Sequence, residues 1–116
     1  NDIKFYDLNK YNYNKLADLY IKENEKSFEE EIKKEKINLF NAANKNKIKI
    51  VYYLLSKQKE IKNNCFSMCK IEKIVIPTTV ESIGNRAFYL CQNLHEIIIP
   101  SSIKAIGKNA FSKCSL

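Results

Sequence analysis

The sequence predicts an α+β protein in which an N-terminal helical hairpin caps a C-terminal repeat solenoid with short parallel strands. Two observations lead to this prediction. Residues 70–92 align without a gap on residues 93–115, so the second half is built from a repeat of 23 residues. The first half lacks this period and places its apolar residues at helical spacing. We therefore expect residues 1–60 to be helical and residues 65–116 to form the repeats.

The repeat is defined by residues of restricted type that recur at the same position. The recurring pairs are Pro77 and Pro100, Gly84 and Gly107, Ala87-Phe88 and Ala110-Phe111, and Cys91 and Cys114. An imperfect copy lies upstream, where Cys65, Phe66 and Cys69 precede their counterparts by 22 residues. Because repeat units bury their apolar faces only against neighbouring copies, we expect the natural protein to continue beyond these repeats.

Each repeat contains one predicted strand that ends at a proline. The alternating apolar positions are Ile74 and Ile76 in one repeat and Ile97 and Ile99 in the next. We expect these side chains to enter a common core, because alternate residues of a strand share a face. Proline ends the strand because it has no amide hydrogen for the ladder. Gly84 and Gly107 follow where the chain bends back, and we expect them to adopt positive φ.

The opposite side of these strands is the predicted partner-binding surface. It carries Lys73 and Val75 in one repeat and Glu96 and Ile98 in the next. Neighbouring strands lie about 4.8 Å apart, so Lys73 should pair with Glu96, and Val75 beside Ile98 should form an outward apolar stripe. We interpret this stripe as the contact site for a protein. The alternative is that a neighbouring part of the same protein covers it, or that the exposed stripe is merely tolerated.

The repeat pattern L-x-x-I-x-I-P-x-x-V-x-x-I-G-x-x-A-F-x-x-C resembles the BspA-like class of leucine-rich repeats, which is found in surface antigens. The resemblance covers residues 65–116. It implies a right-handed solenoid with one short parallel strand per turn on the concave side and mostly irregular structure on the convex side. It also implies an interaction module, and it favours display at a cell surface.

Helical spacing organises the first half of the chain. After Asn12 as a cap, one apolar face is formed by Tyr13, Leu16, Ala17, Tyr20 and Ile21. Ser27 and Glu30 have the form of a capping box, in which each side chain bonds a free amide at the helix start. This predicts a short helix that ends at Glu35 and displays Phe28 and Ile32.

Residues 37–55, INLFNAANKNKIKIVYYLL, resemble an ankyrin repeat. The resemblance implies a helical hairpin that turns at residues 44–47, and it favours the cytoplasm. Asn46 replaces the family's turn glycine and tolerates the left-handed conformation. The family's Thr-Pro-Leu-His opening is absent, which predicts a less regular repeat, and the alternative is a non-ankyrin cap over the first repeat. We expect residues 56–64 to be a surface connection, and Tyr52 and Tyr53 to be buried against the repeats.

The cysteines are predicted to be reduced residues of the core. Cys69, Cys91 and Cys114 recur with the repeat, so each should point inward at the same level of its own turn. This spacing argues against a zinc site, and His95 is predicted to lie on the surface. A disulfide between adjacent turns remains an alternative, since a separation of about 5 Å permits one.

The remaining composition limits the function. The net charge of +7 is diffuse, and lysines alternate with glutamates, so we predict no nucleic-acid binding. No apolar run has the length of a membrane span, which argues against membrane insertion. We also predict no enzymatic activity, no cofactor and no metal, because the chain lacks a phosphate-binding loop and a nucleophile–His–carboxylate set. The predicted partner is a protein, bound by a surface adhesin or by an intracellular scaffold. The alternative is a structural cap or spacer without a ligand, and the oligomeric state is left open.

Overall fold

A computed structural model describes residues 5–6 and 14–116; the predicted cap Asn12 and the apolar Tyr13 lie outside these residues. The described chain contains the helices α1 (Asn14–Glu23), α2 (Glu25–Glu35), α3 (Leu39–Asn44) and α4 (Ile48–Leu55), followed by the strands β1 (Glu60–Ile61), β2 (Lys73–Val75), β3 (Ser82–Ile83), β4 (Glu96–Ile98) and β5 (Ala105–Ile106). The order β1-β3-β5 forms one parallel sheet, and β2-β4 forms another. The predicted combination of helices with short parallel strands is confirmed.

Helix α1 buries only part of its predicted apolar face. Ala17 and Ile21 lie in the core, whereas Leu16 and Tyr20 are exposed. The burial of Ala17 and Ile21 is enough to fix α1 against the rest of the helical region.

Helix α2 begins upstream of its predicted start. Asn24 is its N-cap, and Ser27 lies inside the helix, so the predicted capping box of Ser27 and Glu30 is wrong. The physical reason is that the side-chain amide of Asn24 donates to a carbonyl of α1 at 2.8 Å, which joins the two helices through a single residue. The helix ends at Glu35 as predicted, where Lys36 adopts the left-handed conformation with φ 54°.

Helices α3 and α4 form the predicted hairpin. The Asn38 side-chain oxygen accepts the Asn41 N–H at 2.8 Å and thereby caps α3. Ala42 and Ala43 are fully buried, and their small side chains allow the two helices to approach closely. The turn passes through Asn46 with φ 55°, so the prediction of a left-handed asparagine is confirmed.

The second half of the chain makes three hydrogen-bonded ladders rather than one. The first sheet aligns Ile61, Ile83 and Ile106, and the second aligns Lys73–Val75 with Glu96–Ile98. The third ladder consists of turn residues, in which the Phe66 N–H donates to the Ala87 carbonyl at 2.7 Å. The expectation of one strand per turn is therefore incomplete. Strands of two residues are too short to show the alternation by which a strand is recognised.

Residues 56–64 are not the predicted surface connection. They contain β1, whose Ile61 is 0% exposed, and the Lys59 carbonyl accepts the Glu81 N–H at 2.7 Å. Only one apolar residue of this polar segment enters the core, which is why the sequence pattern did not indicate a strand. The register of the repeats therefore extends upstream to residue 59.

The repeat glycines serve a close approach between turns. Neither Gly84 nor Gly107 has positive φ, so that expectation is wrong. A Cβ at Gly84 would lie 2.6 Å from the backbone nitrogen of Asn63, and one at Gly107 would lie 2.5 Å from that of Asn85. The positive φ values fall instead on Asn64, Arg86 and Asn109, and on Met68, Leu90 and Lys113. Both sets recur once per turn.

Phenylalanine rings stack through the core of the repeats. Phe66 and Phe88 have ring centroids 5.1 Å apart, and Phe88 and Phe111 are 5.2 Å apart with nearly parallel planes. Burial then declines along the chain, from 2% exposed at Ile76 to 42% at its counterpart Ile99. The helices cover the upstream side of the repeats, where α4 packs against β2.

Candidate protein-binding surface

The four predicted partner-binding residues lie on the paired strands β2 and β4. The register places Lys73 beside Glu96 and Val75 beside Ile98, as predicted. Lys73 Nζ lies 3.4 Å from Glu96 Oε1, and both side chains are partly exposed. Such a solvated pair contributes at most about 1 kcal/mol, so it orients the two side chains more than it stabilises the fold.

Val75 does not lie on an exposed stripe. It is 2% exposed, because α4 packs against β2. The expectation of an outward stripe is therefore wrong at this position, and the alternative that another part of the chain covers it is correct for β2. Ile98, one strand further on, stays only half-buried. The apolar surface that remains accessible on this sheet consequently lies on β4.

Two asparagines of the helical hairpin close the upstream edge of β2. In the repeats, the His95 N–H donates to the Glu72 carbonyl at 3.1 Å. One turn earlier, no strand among the described residues pairs with the upstream side of β2, and the Glu72 N–H donates to Asn46 Oδ1 at 2.7 Å. Asn44 Oδ1 accepts the Lys70 N–H at the same distance. The two side chains thus replace the carbonyls of a preceding turn, a role that sequence reasoning missed because a polar residue in a turn gives no indication of a distant partner.

A cleft of about 330 Å³ lies between α1, α4 and the loop after β2. The Tyr52 hydroxyl donates to the Asp18 carboxylate, and the Tyr53 hydroxyl donates to Glu29. Burial raises the pKa of Tyr52 above its usual value, and the Asp18 carboxylate raises it further. Both tyrosines are buried as predicted, although their ring contacts are with Phe5 and Phe28 of the helical region. These polar groups form hydrogen bonds with one another. We therefore interpret the cleft as part of the packing between the helices and the repeats.

The repeat cysteines point inward, as predicted. Cys69 and Cys91 are buried, and Cys65 and Cys114 are half-buried. The Cys91 thiol donates to the Phe66 carbonyl of the preceding turn at 2.9 Å. Burial raises the pKa of Cys91 to about 12, so its thiol stays protonated at neutral pH and can donate. The cysteine is therefore a hydrogen-bond donor between turns as well as a core residue.

The turn segments form a polar surface on another side of the repeats. We call residues 62–69, 84–91 and 107–114 the turn ladder. Within it, the Asn85 N–H donates to Asn63 Oδ1 and the Lys108 N–H donates to Asn85 Oδ1, both at 2.8 Å. A cleft of about 350 Å³ crosses the three turns at these residues. The recurrence of asparagine and basic residues in these turns is the sequence signal that could have identified this surface.

Comparison with known families agrees with this geometry. A profile described as the BspA type leucine-rich repeat region, with six copies, matches residues 59–116. The chain belongs to this family. The match begins where β1 begins to pair, so the leucine-rich repeats include the segment that the sequence analysis assigned to a connection. No family profile supports the ankyrin-like repeat at residues 37–55. No curated protein and no solved structure matches the chain.

Residues 5–6 and 14–116 contain neither a metal-binding group nor a helix that could span a membrane. In that part of the chain, no group of three His, Cys, Asp or Glu side chains could hold a metal ion. None of the helices described there is long and apolar enough to cross a membrane. His95 is exposed beside the leucine-rich-repeat strand β4, with Nε2 3.8 Å from Glu96 Oε1. It therefore adds to the polar margin of the surface around Ile98.

Proposed function

We propose that this chain is a protein-interaction module. In this proposal the leucine-rich repeats form a solenoid, the ankyrin-like hairpin caps its upstream end, and the outer face of β4 contacts a protein partner. The observation that supports it is the difference between two residues in register: Val75 is 2% exposed under α4, whereas Ile98 is only half-buried. The family match supports a repeat module of this kind. The proposed role is binding without catalysis.

The chemistry around Ile98 suits a protein contact. Ile98 offers apolar surface, which contributes about 25 cal/mol for each Å² that a partner removes from water. Glu96 and His95 lie beside it and are at least partly exposed, and Lys73 pairs with Glu96. An apolar centre with a polar margin is the usual arrangement of a protein interface. The charged margin would orient the partner, and Ile98 would supply most of the affinity.

A purely structural role is the second candidate. Asn44 and Asn46 close the edge of β2, and α4 covers Val75, which supports a capping role for the helical hairpin. In this candidate role the segment shields the end of a longer array and binds no ligand. The two candidates differ in whether β4 is contacted by another protein.

A photo-cross-linking experiment separates them. The photoreactive residue p-benzoylphenylalanine replaces Ile98 in one variant and Ile106 in the other, and each variant is irradiated in an extract of the native source. Ile106 is a matched control because it is a strand isoleucine on the other sheet and is 52% exposed. We expect a discrete protein adduct from position 98 alone. Folded variants that give no adduct at position 98 would favour the structural role.

The cellular setting can be tested separately with the cysteines. A free-thiol count on the native protein, under denaturing and alkylating conditions, reports their oxidation state. Four free thiols would support an intracellular scaffold, since thiols stay reduced in the cytosol. Two or fewer would indicate a disulfide between turns and would support an adhesive role at the cell surface.

A further inference from the structure

The turn ladder carries charges of one sign. Its charged residues are Lys62, Arg86, Lys108 and Lys113, and residues 62–69, 84–91 and 107–114 contain no Asp or Glu. All four cations are exposed. The four glutamates of residues 59–116 lie instead on or beside the two sheets. The excess positive charge of the repeats is therefore concentrated on one side, so the expectation of a diffuse charge is wrong for this half of the chain.

Among the described residues, none of these four cations forms an ion pair with a carboxylate. On the sheets, Lys73 pairs with Glu96, and Lys104 Nζ lies 3.3 Å from Glu81 Oε1. The carboxylate of an ion pair offsets the positive charge of its lysine, so the pair attracts an anionic ligand only weakly. An unpaired set of one sign raises the local concentration of oppositely charged molecules and speeds their association.

The same surface presents hydrogen-bond donors in fixed positions. Asn63 and Asn85 use their side-chain oxygens to accept from the next turn, and this holds both amides in place. Their NH₂ groups keep donor capacity for a ligand. The cleft of about 350 Å³ is lined by these asparagines together with Arg86 and Lys108. Cations and amide donors in one groove are suited to carboxylates and to peptide carbonyl groups.

We propose that the turn ladder binds an acidic polypeptide segment, rich in Asp or Glu. This goes beyond the proposed function, because the residues and the side of the repeats differ from those around Ile98. A nucleic acid fits less well. Tyr89, a partly exposed aromatic side chain of the ladder, has Arg86 5.5 Å and Lys113 6.0 Å from its ring centroid, so the cations compete with a base for the ring.

Peptide binding to charge variants of the complete chain tests the proposal. The probe is a labelled peptide of alternating Glu and Ser, and its dissociation constant is measured by fluorescence anisotropy at low salt. The test variant combines Arg86→Gln, Lys108→Gln and Lys113→Gln. The matched control combines Lys26→Gln, Lys33→Gln and Lys34→Gln on α2, which lowers the net charge equally at exposed positions.

We expect the ladder variant to bind the peptide about tenfold more weakly than the unmodified chain, since each solvated ion pair contributes up to about 1 kcal/mol. The α2 variant should bind within a factor of about two, and binding should weaken as salt shortens the Debye length to about 8 Å. Equal losses in the two variants would overturn the proposal, because they would show attraction to net charge alone. Tighter binding of a single-stranded oligonucleotide of the same charge, or of phosphatidylserine vesicles, would overturn it in favour of those ligands.

The Ile98→Glu variant keeps this result separate from the proposed function. It leaves the turn ladder intact, so we expect it to bind the acidic peptide as the unmodified chain does. Loss of peptide binding in this variant would place the peptide on β4 and overturn the proposal. A failure of cross-linking at position 98, by contrast, leaves the expected peptide result unchanged.

Discussion

In a Val75→Glu variant, a carboxylate replaces a side chain that is 2% exposed between β2 and α4. Two costs follow from this burial. The fold loses about 2 kcal/mol from the buried valine. Keeping the new carboxyl group protonated at pH 7, against an ordinary pKa of about 4.3, costs about 3.7 kcal/mol more. The sum of about 5–6 kcal/mol equals much or all of the stability of a small domain, so we expect the variant to be largely unfolded at neutral pH.

The destabilisation has a defined dependence on pH. Burial raises the pKa of the new glutamate in the folded state above its value of about 4.3 in the unfolded state. Below about pH 4.3 both states are protonated and only the cost of the lost valine remains. Above it the free energy of unfolding falls by about 1.4 kcal/mol per pH unit, until the pKa of the folded state is reached.

Ile98→Glu is the control in register, and urea unfolding followed by circular dichroism is the assay. Ile98 is half-buried, so its replacement should cost about 1 kcal/mol with little pH dependence, because the carboxylate can reach water. Val75→Thr is a milder variant that keeps the volume and should cost about 1–3 kcal/mol. Equal stability of Val75→Glu and Ile98→Glu at neutral pH would refute the reasoning that α4 covers β2.

Three further changes probe the contacts between turns. Glycine in an Asn46→Gly variant suits the φ of 55°, but it removes the acceptor for the Glu72 N–H. We expect the free energy of unfolding in urea to fall by about 1–2 kcal/mol. An unchanged midpoint would show that this N–H has another acceptor. Gly84→Ala places a Cβ 2.6 Å from the Asn63 nitrogen and should cost about 1–3 kcal/mol, whereas a neutral effect would mean that the turns lie further apart. Cys91 should resist alkylation in the folded protein at neutral pH, because burial raises its pKa to about 12. Rapid labelling of Cys91, measured by mass spectrometry, would contradict its position in the core.

The repeat made the register of the strands predictable. An offset of 23 residues in the sequence aligns Lys73 with Glu96 and Val75 with Ile98, and the strands pair in this way. The inward direction of Cys91 followed from the same offset. A repeat is informative because each position has a counterpart in the same environment, so two residues report on one site.

Contacts outside the repeat were not predictable in this way. The residues around Val75 and those around Ile98 form the same type of strand. Nothing in the sequence near either residue indicates that α4 covers Val75 and leaves Ile98 uncovered. The left-handed conformation of Asn46 could be predicted from its residue type. Its hydrogen bond with the Glu72 N–H, 26 residues away, could not. The strand β1 could not be predicted from apolar alternation, because Ile61 is its only buried residue. These features depend on how the helical region packs on the repeats.

The proposal that a protein contacts β4 is tested most directly by the affinity of the cross-linked partner. Its dissociation constant is measured by isothermal titration calorimetry with the unmodified chain, with Ile98→Glu and with Ile106→Glu, after circular dichroism has shown that both variants fold. We predict binding at least about tenfold weaker for Ile98→Glu, as expected for a central apolar contact, and unchanged binding for Ile106→Glu. Undiminished affinity in Ile98→Glu would contradict the proposal.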